Sequence, residues 1–458
     1  MKILFGLIEP DESNNPDAGI FLNNQLVKFK SPLEAIQNGV GMVQQHFALA
    51  GPLSALDNII LGAEPTRTWS KLLIDRKEAE KIIDDLSGII LKAPWKESTE
   101  SLSVGVQQKL EIIKLLFRKA EILIFDEPTA VLIPTEVAAF FDLLKLLKSQ
   151  GKTIILITHK LSEILSVCDD VTVLKQGKVT ATLPTHNLTA EELIYAMIGR
   201  DIQKISKEMS LPGEQLLEVK GLAVEESIRG GIKNLNFDIF KNEIVGIAGV
   251  EGNGQQALVE ALLSLRDYKG IINYKKHVMP KNTSHIREVL NFGLISEDRH
   301  YQSLWLDASI AENTSIGFTN SQAHFGFINQ TKMAEHTLKV LKGYDVKMSS
   351  VEQPIKDLSG GNQQKIVVAR EMSGRKPEFL IASQPTRGVD VGAIEFIHQQ
   401  ILLLKKNGAG ILLVSSELEE LCALSDRILV LFEGQIKAEF SGPHFDLNQI
   451  GSAMIGAQ

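Results

Sequence analysis

Three side chains in the first half of this 458-residue sequence have the types and positions needed for phosphate chemistry. Ile122-Leu123-Ile124-Phe125 is an apolar run that ends in Asp126 and Glu127, two carboxylates placed where a buried strand should emerge. Asp126 is positioned to hold magnesium through water, and Glu127 to polarise a water attacking a terminal phosphate. His159 ends the next apolar run, Ile154-Ile155-Leu156-Ile157, and can contact the same phosphate. In the second half, a run beginning at Ile244 passes into Gly249-Val250-Glu251-Gly252-Asn253-Gly254 and then a helical segment. That spacing suits a loop whose backbone N–H groups wrap an anion at a helix N-terminus. The pattern asks next for Lys and then Ser or Thr, and the chain has Gln255 and Gln256. A neutral amide makes a weaker bond to phosphate than a charged donor does, so anion binding here is weakened without being forbidden.

These residues belong to a duplicated unit. LSVGVQQKLEIIK from Leu102 echoes LSGGNQQKIVVAR from Leu358, 256 residues on, and Pro128 matches Pro385 at a spacing of 257. At that spacing Ser383, Gln384 and Ser416 stand opposite Asp126, Glu127 and His159. Every ionisable member of the first set is neutral in the second, so general base catalysis cannot run there.

Short continuous apolar runs such as Ile122–Phe125, Phe379–Ile381 and Ile411–Val414 predict parallel strands covered on both faces. Leu110, Ile113 and Phe117 follow a helical period after the first LS motif, and Ile366, Val367 and Arg370 occupy the matching turns after the second. Strand–helix alternation implies an α/β fold with a doubly wound sheet in each half. A polar stretch punctuated by Pro and Gly marks a linker, giving a first domain over 1–200, a linker over 201–215 and a second domain over 216–458.

Composition excludes several classes. Hydrophobic residues at 44% and charged residues at 23% argue against disorder, and a net charge of -8 argues against a broad electrostatic grip on nucleic acid. Two cysteines, Cys168 and Cys422, cannot build a disulfide framework and read as small buried hydrophobes. The acidic pairs Glu419-Glu420 and Asp84-Asp85 read as solvated faces. No apolar stretch reaches the roughly 18–20 residues that span a bilayer.

Taken together, these motifs resemble the ATP-binding cassette (ABC) superfamily over nearly the whole chain. LSVGVQ and LSGGNQ look like its signature loops, and Gln45 and Glu297 sit where its Q-loop residue lies. GVGMVQQHFALAGPLSALDNIILGAEP, DEPTAVLIPTE, GIAGVEGNGQ, ISEDRH and QPTRGVDVGAIEFIH resemble the fused two-cassette ATPase subunits of simple-sugar importers, especially the nucleoside branch associated with a basic membrane lipoprotein. The resemblance implies two tandem P-loop NTPase cassettes, each a mainly parallel doubly wound sheet with a helical subdomain and a small antiparallel β part. It implies ATP and Mg2+ as ligands, with Asp126 and Gln45 at the metal and Glu127, His159 and Gln45 as catalytic residues. By the same resemblance, Ser359, Gly360, Gly361, Asn362 and Gln363 complete that site. A degenerate second site combines Gly249, Gly252, Asn253, Gly254, Gln255 and Gln256 with Ser103, Gly105 and Gln107, and Val104 departs from the usual signature glycine there. The implied partners are transmembrane permease subunits and, through them, an extracytoplasmic solute-binding protein, with no nucleic acid, at the cytoplasmic face of the inner membrane.

Two rival readings are a non-hydrolytic docking or regulatory fragment of such a transporter and a two-cassette ribosome-associated translation factor. The second expects a long basic helical linker and two intact sites, and this chain has neither feature.

Aligning Leu7 with Leu265 puts the position matching Gln255 four residues before Met1. The expectation is therefore that the first cassette lacks its N-terminal strands and phosphate loop, and that upstream codons encode a GxxGxGK[ST] run.

Overall fold

Leu123, Ile124 and Phe125 are fully buried in the strand Ile122–Asp126, and they face two different cores. Ile124 packs with Phe5, Phe29, Val40 and Met42, whereas Leu123 and Phe125 pack with Ile112, Phe140 and Leu144. That two-sided burial is why the run is continuously apolar instead of alternating. The computed structural model describes the chain apart from residues 11–18, 45–47, 68–69, 88–94, 103, 130–131, 133, 159, 176, 199–210, 226–229, 251, 282–285, 325–326, 443, 455 and 457–458. The chain forms two units, Met1–Arg200 and Asp201–Gln458. Most of the linker read from the sequence lies outside the described residues, and its last residue, Gln215, already pairs with Phe240 as the first residue of a strand.

In the first unit the strands Val40–Val43, Ile122–Asp126 and Thr153–Ile157 form a parallel sheet with the carboxylate strand in the middle. Among the described residues, Asp170–Lys175 pairs only with Lys178–Pro184, as a separate hairpin. A helical subdomain, Ala55–Ile60, Arg76–Ser87 and Val104–Phe117, buries Leu56, Ile59, Ile83, Leu110 and Ile113 in a core of its own. Two members of the helical period read from the sequence, Leu110 and Ile113, therefore mark this core, and Phe117 packs against it.

The second unit carries a six-stranded sheet ordered Phe292–Ile295, Phe379–Ser383, Gly410–Val414, Ile244–Ala248, Arg427–Phe432, Gln435–Ser441. All but the last pair are parallel. Ile244–Ala248, buried at every residue, joins Gly410–Val414 to Arg427–Phe432. Among the described residues of the first unit no strand fills the matching place, so its central sheet has three strands and the hairpin stands apart. A four-stranded antiparallel sheet, ordered Ile232–Phe240, Gln215–Val224, Lys269–Tyr274, His277–Val278, packs its Leu217, Val219, Ile239 and Ile272 into the core with Val245 and Ile247.

Two expectations change. Glu420 is buried, because its carboxylate accepts hydrogen bonds from Thr386 and the His398 ring. Cys168 and Cys422 are half-buried. Arg370, in a helical-period position, is almost fully buried although it is a cation.

Candidate nucleotide site

Asp126 and Ser383 end parallel strands, at the side of the sheet where an open α/β fold offers a crevice. Asp126 is the last residue of the central strand of the first unit and is half-buried. Burial pushes its carboxyl up, and the adjacent Glu127 charge adds to that. Glu127 then turns into the left-handed region, φ 47°, with its N–H on the Ile157 carbonyl at 2.9 Å. Gln45 and His159 lie outside the described residues, each two positions past the end of a strand that flanks Asp126, Val40–Val43 and Thr153–Ile157.

Asp126 fits magnesium. It supplies hard oxygen and carries an electrostatic strain that a nearby cation relieves, and Mg2+ characteristically takes only one or two protein carboxylates and fills its octahedron with water and phosphate. No group of three or more His, Cys, Asp or Glu side chains that could hold a metal ion occurs among the described residues.

The first signature helix, Val104–Phe117, has Gly105 in its opening turn, and Ser103 lies outside the described residues. Gln107 donates to the Leu102 carbonyl at 2.8 Å, which fastens the helix start. The next residue, Gln108, is buried and donates to the Pro128 carbonyl just past the carboxylates. Its counterpart Gln364 does the same to Pro385 at 2.7 Å. The sequence reading did not single out Gln108 and Gln364; only their recurrence in both copies could have drawn attention to them.

In the second unit Ser359 is an exposed N-cap, with its hydroxyl accepting from the Asn362 N–H and side-chain amide, so the helix Gly360–Ala369 presents its free N–H groups beside Gly360 and Gly361. Gly361 is buried against Asp390, and a Cβ there would lie 2.8 Å from the Asp390 carboxylate. Gln363 donates to the carbonyls of Ile355 and Leu358 and shares a 2.8 Å hydrogen bond with His300.

The glycine loop of this unit is closed on itself. Gly252 and Gly254 hold φ of 94° and 105°, angles that suit glycine. Gln255 folds back and donates to the Val250 carbonyl at 2.9 Å, so a Cβ at Gly249 would meet its amide at 2.5 Å. Asn253 donates to the same carbonyl and accepts from the Glu433 N–H at 2.8 Å, tying the loop to the turn before Gln435–Ser441. Gln256, half-buried, follows in the first turn of Gln255–Leu262. Gln384 repeats the Glu127 turn at φ 47°, and its amide oxygen accepts from both the N–H and the hydroxyl of Ser416 at 3.2 Å. Glu297 pairs with Arg387. The second unit thus holds Gln384 and Ser416 in a neutral contact with each other and Glu297 in an ion pair with Arg387.

Two α/β units, each with a parallel sheet and a helical subdomain, define tandem ATPase cassettes of the P-loop class. The ABC transporter family model matches residues 1–130 and 232–387, and the chain belongs to that family. It is an ABC-type ATPase. It is 39% identical to the nucleoside import ATP-binding protein NupA of Lactococcus lactis subsp. cremoris (strain MG1363), over 100% of this chain and 90% of that protein. It is 40% identical to the guanosine import ATP-binding protein NupO of Bacillus subtilis (strain 168), over 100% of this chain and 89% of that one. Among solved structures, the complex of the archaeal ribosomal stalk protein aP1 with the archaeal ribosome recycling factor aABCE1 aligns with a TM-score of 0.56 at 18% identity, covering 88% of this chain and 74% of that one, a likeness of fold. No helix among the described residues is long and apolar enough to cross a membrane.

Proposed function

We propose that this chain is the energy-coupling subunit of an importer for simple sugars or nucleosides, hydrolysing ATP to drive uptake. The observation that carries the proposal is the asymmetry of one backbone geometry: a carboxylate at Glu127 and an amide at Gln384, on the same turn. The near full-length similarity to import proteins for a nucleoside and for guanosine favours the nucleoside class of solute.

On this proposal Asp126 and Gln45 hold Mg2+, which when bound neutralises charge on the phosphates. Glu127 orients and deprotonates the attacking water, and His159 holds a phosphate oxygen. Ser359, Gly360, Gly361, Asn362 and Gln363 bind the same nucleotide, with the Ser359 hydroxyl and the helix N–H groups facing its phosphate. Gly249 to Gln256 with Ser103, Gly105 and Gln107 form a site that binds without turning over, because neither the Gln384 amide nor the Ser416 hydroxyl can take a proton from water at neutral pH. Permease subunits dock near Gln45 and Glu297 at the cytoplasmic face, and an extracytoplasmic binding protein delivers solute to them. The domain limits 1–200 and 216–458 belong to the same proposal.

The test is uptake into membrane vesicles holding this chain and the permease subunits encoded beside it. Radiolabelled guanosine and galactose are offered with MgATP. Uptake that disappears with Glu127→Gln supports the reading. Uptake or ATP turnover indifferent to that substitution, or purification with ribosomes in place of membrane subunits, refutes it.

A further inference from the structure

The loops that follow Gln45 and Glu297 are built alike, through contacts that the motifs in them do not reveal. In the second unit the loop runs to Ser309, the N-cap of the helix Ile310–Ser315. Asn313, fully buried in that helix, spends its whole amide on the loop. Its oxygen accepts the Trp305 N–H at 2.8 Å, and its nitrogen donates to the carbonyls of Trp305 at 2.9 Å, Ser309 at 3.0 Å and Ala308 at 3.4 Å. From the other side Arg370, 3% exposed, donates to the carbonyls of Ser303 at 2.9 Å and Asn313 at 3.0 Å. Arg370 caps the C-terminal end of Gly360–Ala369, the helix that begins at Ser359.

The first unit repeats the arrangement. Asn58 accepts the Ala50 N–H at 2.7 Å and donates to the carbonyls of Ala50 at 3.0 Å and of Leu53 and Ser54 at 3.2 Å. Lys114, in the last turn of Val104–Phe117, donates to the Ala48 carbonyl at 2.9 Å. Asn58 and Asn313, Ala50 and Trp305, and Ala48 and Ser303 are each 255 positions apart, and Lys114 and Arg370 are 256 apart. The loop side chains have diverged, from Ala50 to Trp305 for example, while the bonds to loop backbone persist. Each cation is also anchored beside a carboxylate of its own segment, Arg370 at 3.0 Å from Glu371 and Lys114 at 3.6 Å from Glu111, and the loop carbonyls it reaches are thereby satisfied from a fixed point. A cation reaching from another helix also ties two elements together mechanically.

We propose that Arg370 and Lys114 are positioning residues that fix these loops to the far ends of the signature helices, with Asn313 and Asn58 holding the loop backbone for them to grip. A displacement at the helix is thereby delivered to the loop, and the reverse. Only the source of displacement, MgATP at Ser359–Gln363, rests on the proposed function; the tie itself does not. The two cations do one job, so lysine substitutes for arginine.

The reporter is Trp305, 64% exposed on the loop, and Trp69→Phe with Trp95→Phe leaves it the sole tryptophan. In the full chain without nucleotide, Arg370→Met should speed amide exchange at Ser303–Ser309 about ten-fold relative to the rest of the unit. Acrylamide quenching of Trp305 should increase with it, and Arg370→Lys should restore both. In Arg370→Met, Glu371 keeps its pairings with Arg287 and Arg375, so no buried carboxylate is stranded, a thermal melt of the variant checks that the unit still folds, and Lys114→Met should loosen the amides of Ala48–Leu53 in the same way. Unchanged exchange in all these variants, or failure of lysine to rescue, overturns the tie. In a second arm saturating MgATP is added. A Trp305 emission change in the parent that is lost in Arg370→Met at equal nucleotide affinity supports delivery through the cation, and an identical change in both refutes it. A parent that binds MgATP without any change refutes the nucleotide contact at Ser359–Gln363 and leaves the tie to be decided by exchange alone.

Discussion

Glu127 and Gln384 share one left-handed backbone angle, φ 47°, and each donates its N–H to the carbonyl of the last residue of the neighbouring strand, Ile157 at 2.9 Å and Val414 at 2.7 Å. Such an angle is costly for a side chain with a Cβ and persists where the surroundings enforce it. Both units therefore retain the turn that aims the side chain, and only one has a group there that can take a proton. Glu127→Gln should lower ATP turnover by about 10²–10⁴-fold, the usual contribution of a general base, with nucleotide binding retained. Gln384→Ala should leave turnover within about two-fold of the parent, since no catalytic proton passes through it. Steady-state phosphate release on both variants checks the pair, and the reverse ranking would end the assignment.

The Gln255 contact explains how the second glycine loop stays ordered without a charged ligand: its amide substitutes a bond to the Val250 carbonyl for one to phosphate. Gln255→Lys with Gln256→Ser should raise nucleotide affinity in a Glu127→Gln background by about 10–100-fold, the equivalent of one charge-assisted bond. Turnover should not return, because Gln384 stays neutral. Calorimetric titration with MgATP reads the first expectation and phosphate release the second.

Glu371 lies at the turn after the second signature helix. Burial alone would raise its carboxyl, but the Arg370, Arg287 and Arg375 guanidiniums overcome this and hold it below the ordinary carboxylate range. The unfolded chain therefore binds the proton more readily, so the stabilisation is complete above the ordinary value of 4.5 and is lost as pH falls below it. Glu371→Gln should destabilise the second unit by about 3–5 kcal/mol, because it strands buried guanidiniums. At roughly 2–4 °C per kcal/mol the melting temperature should fall by about 6–20 °C. Thermal melts from pH 7 to pH 3 should show parent and variant converging as acid is added.

The parts of the site that could be read in the sequence are those set by local pattern. The duplication, the carboxylates at the end of Ile122–Asp126 and the glycine turn at Gly249–Gly254 all follow from spacing and apolar runs. What escaped was long-range. Glu420 looked solvated because its helix neighbours give no hint of Thr386 and His398, which are 34 and 22 positions away. Arg370 was placed only in the turn that matches the first copy, and only the fold brings the Ser303 and Asn313 carbonyls to it. Gln255 was recognised as a departure from the phosphate-loop pattern, but its return to the Val250 carbonyl depends on loop angles that composition does not encode.

Glu111 gives the first signature helix the opposite pH behaviour. It is buried 3.6 Å from Lys114, and desolvation raises its carboxyl more than the Lys114 and Arg118 charges lower it. The folded state therefore holds the proton more tightly than the unfolded chain, so stability is greatest below the ordinary value of 4.5 and declines as pH rises through the raised one. Glu111→Gln removes a charge that burial penalises, and should raise the melting temperature at neutral pH while removing that decline. Lys114 keeps its Ala48 carbonyl in the variant, so the loop it holds should exchange amides at the parent's rate. Melts at pH 4.5 and 7 with amide exchange over Ala48–Leu53 test both halves. A lower melting temperature at pH 7 would mean that the Lys114 pairing outweighs the desolvation of Glu111.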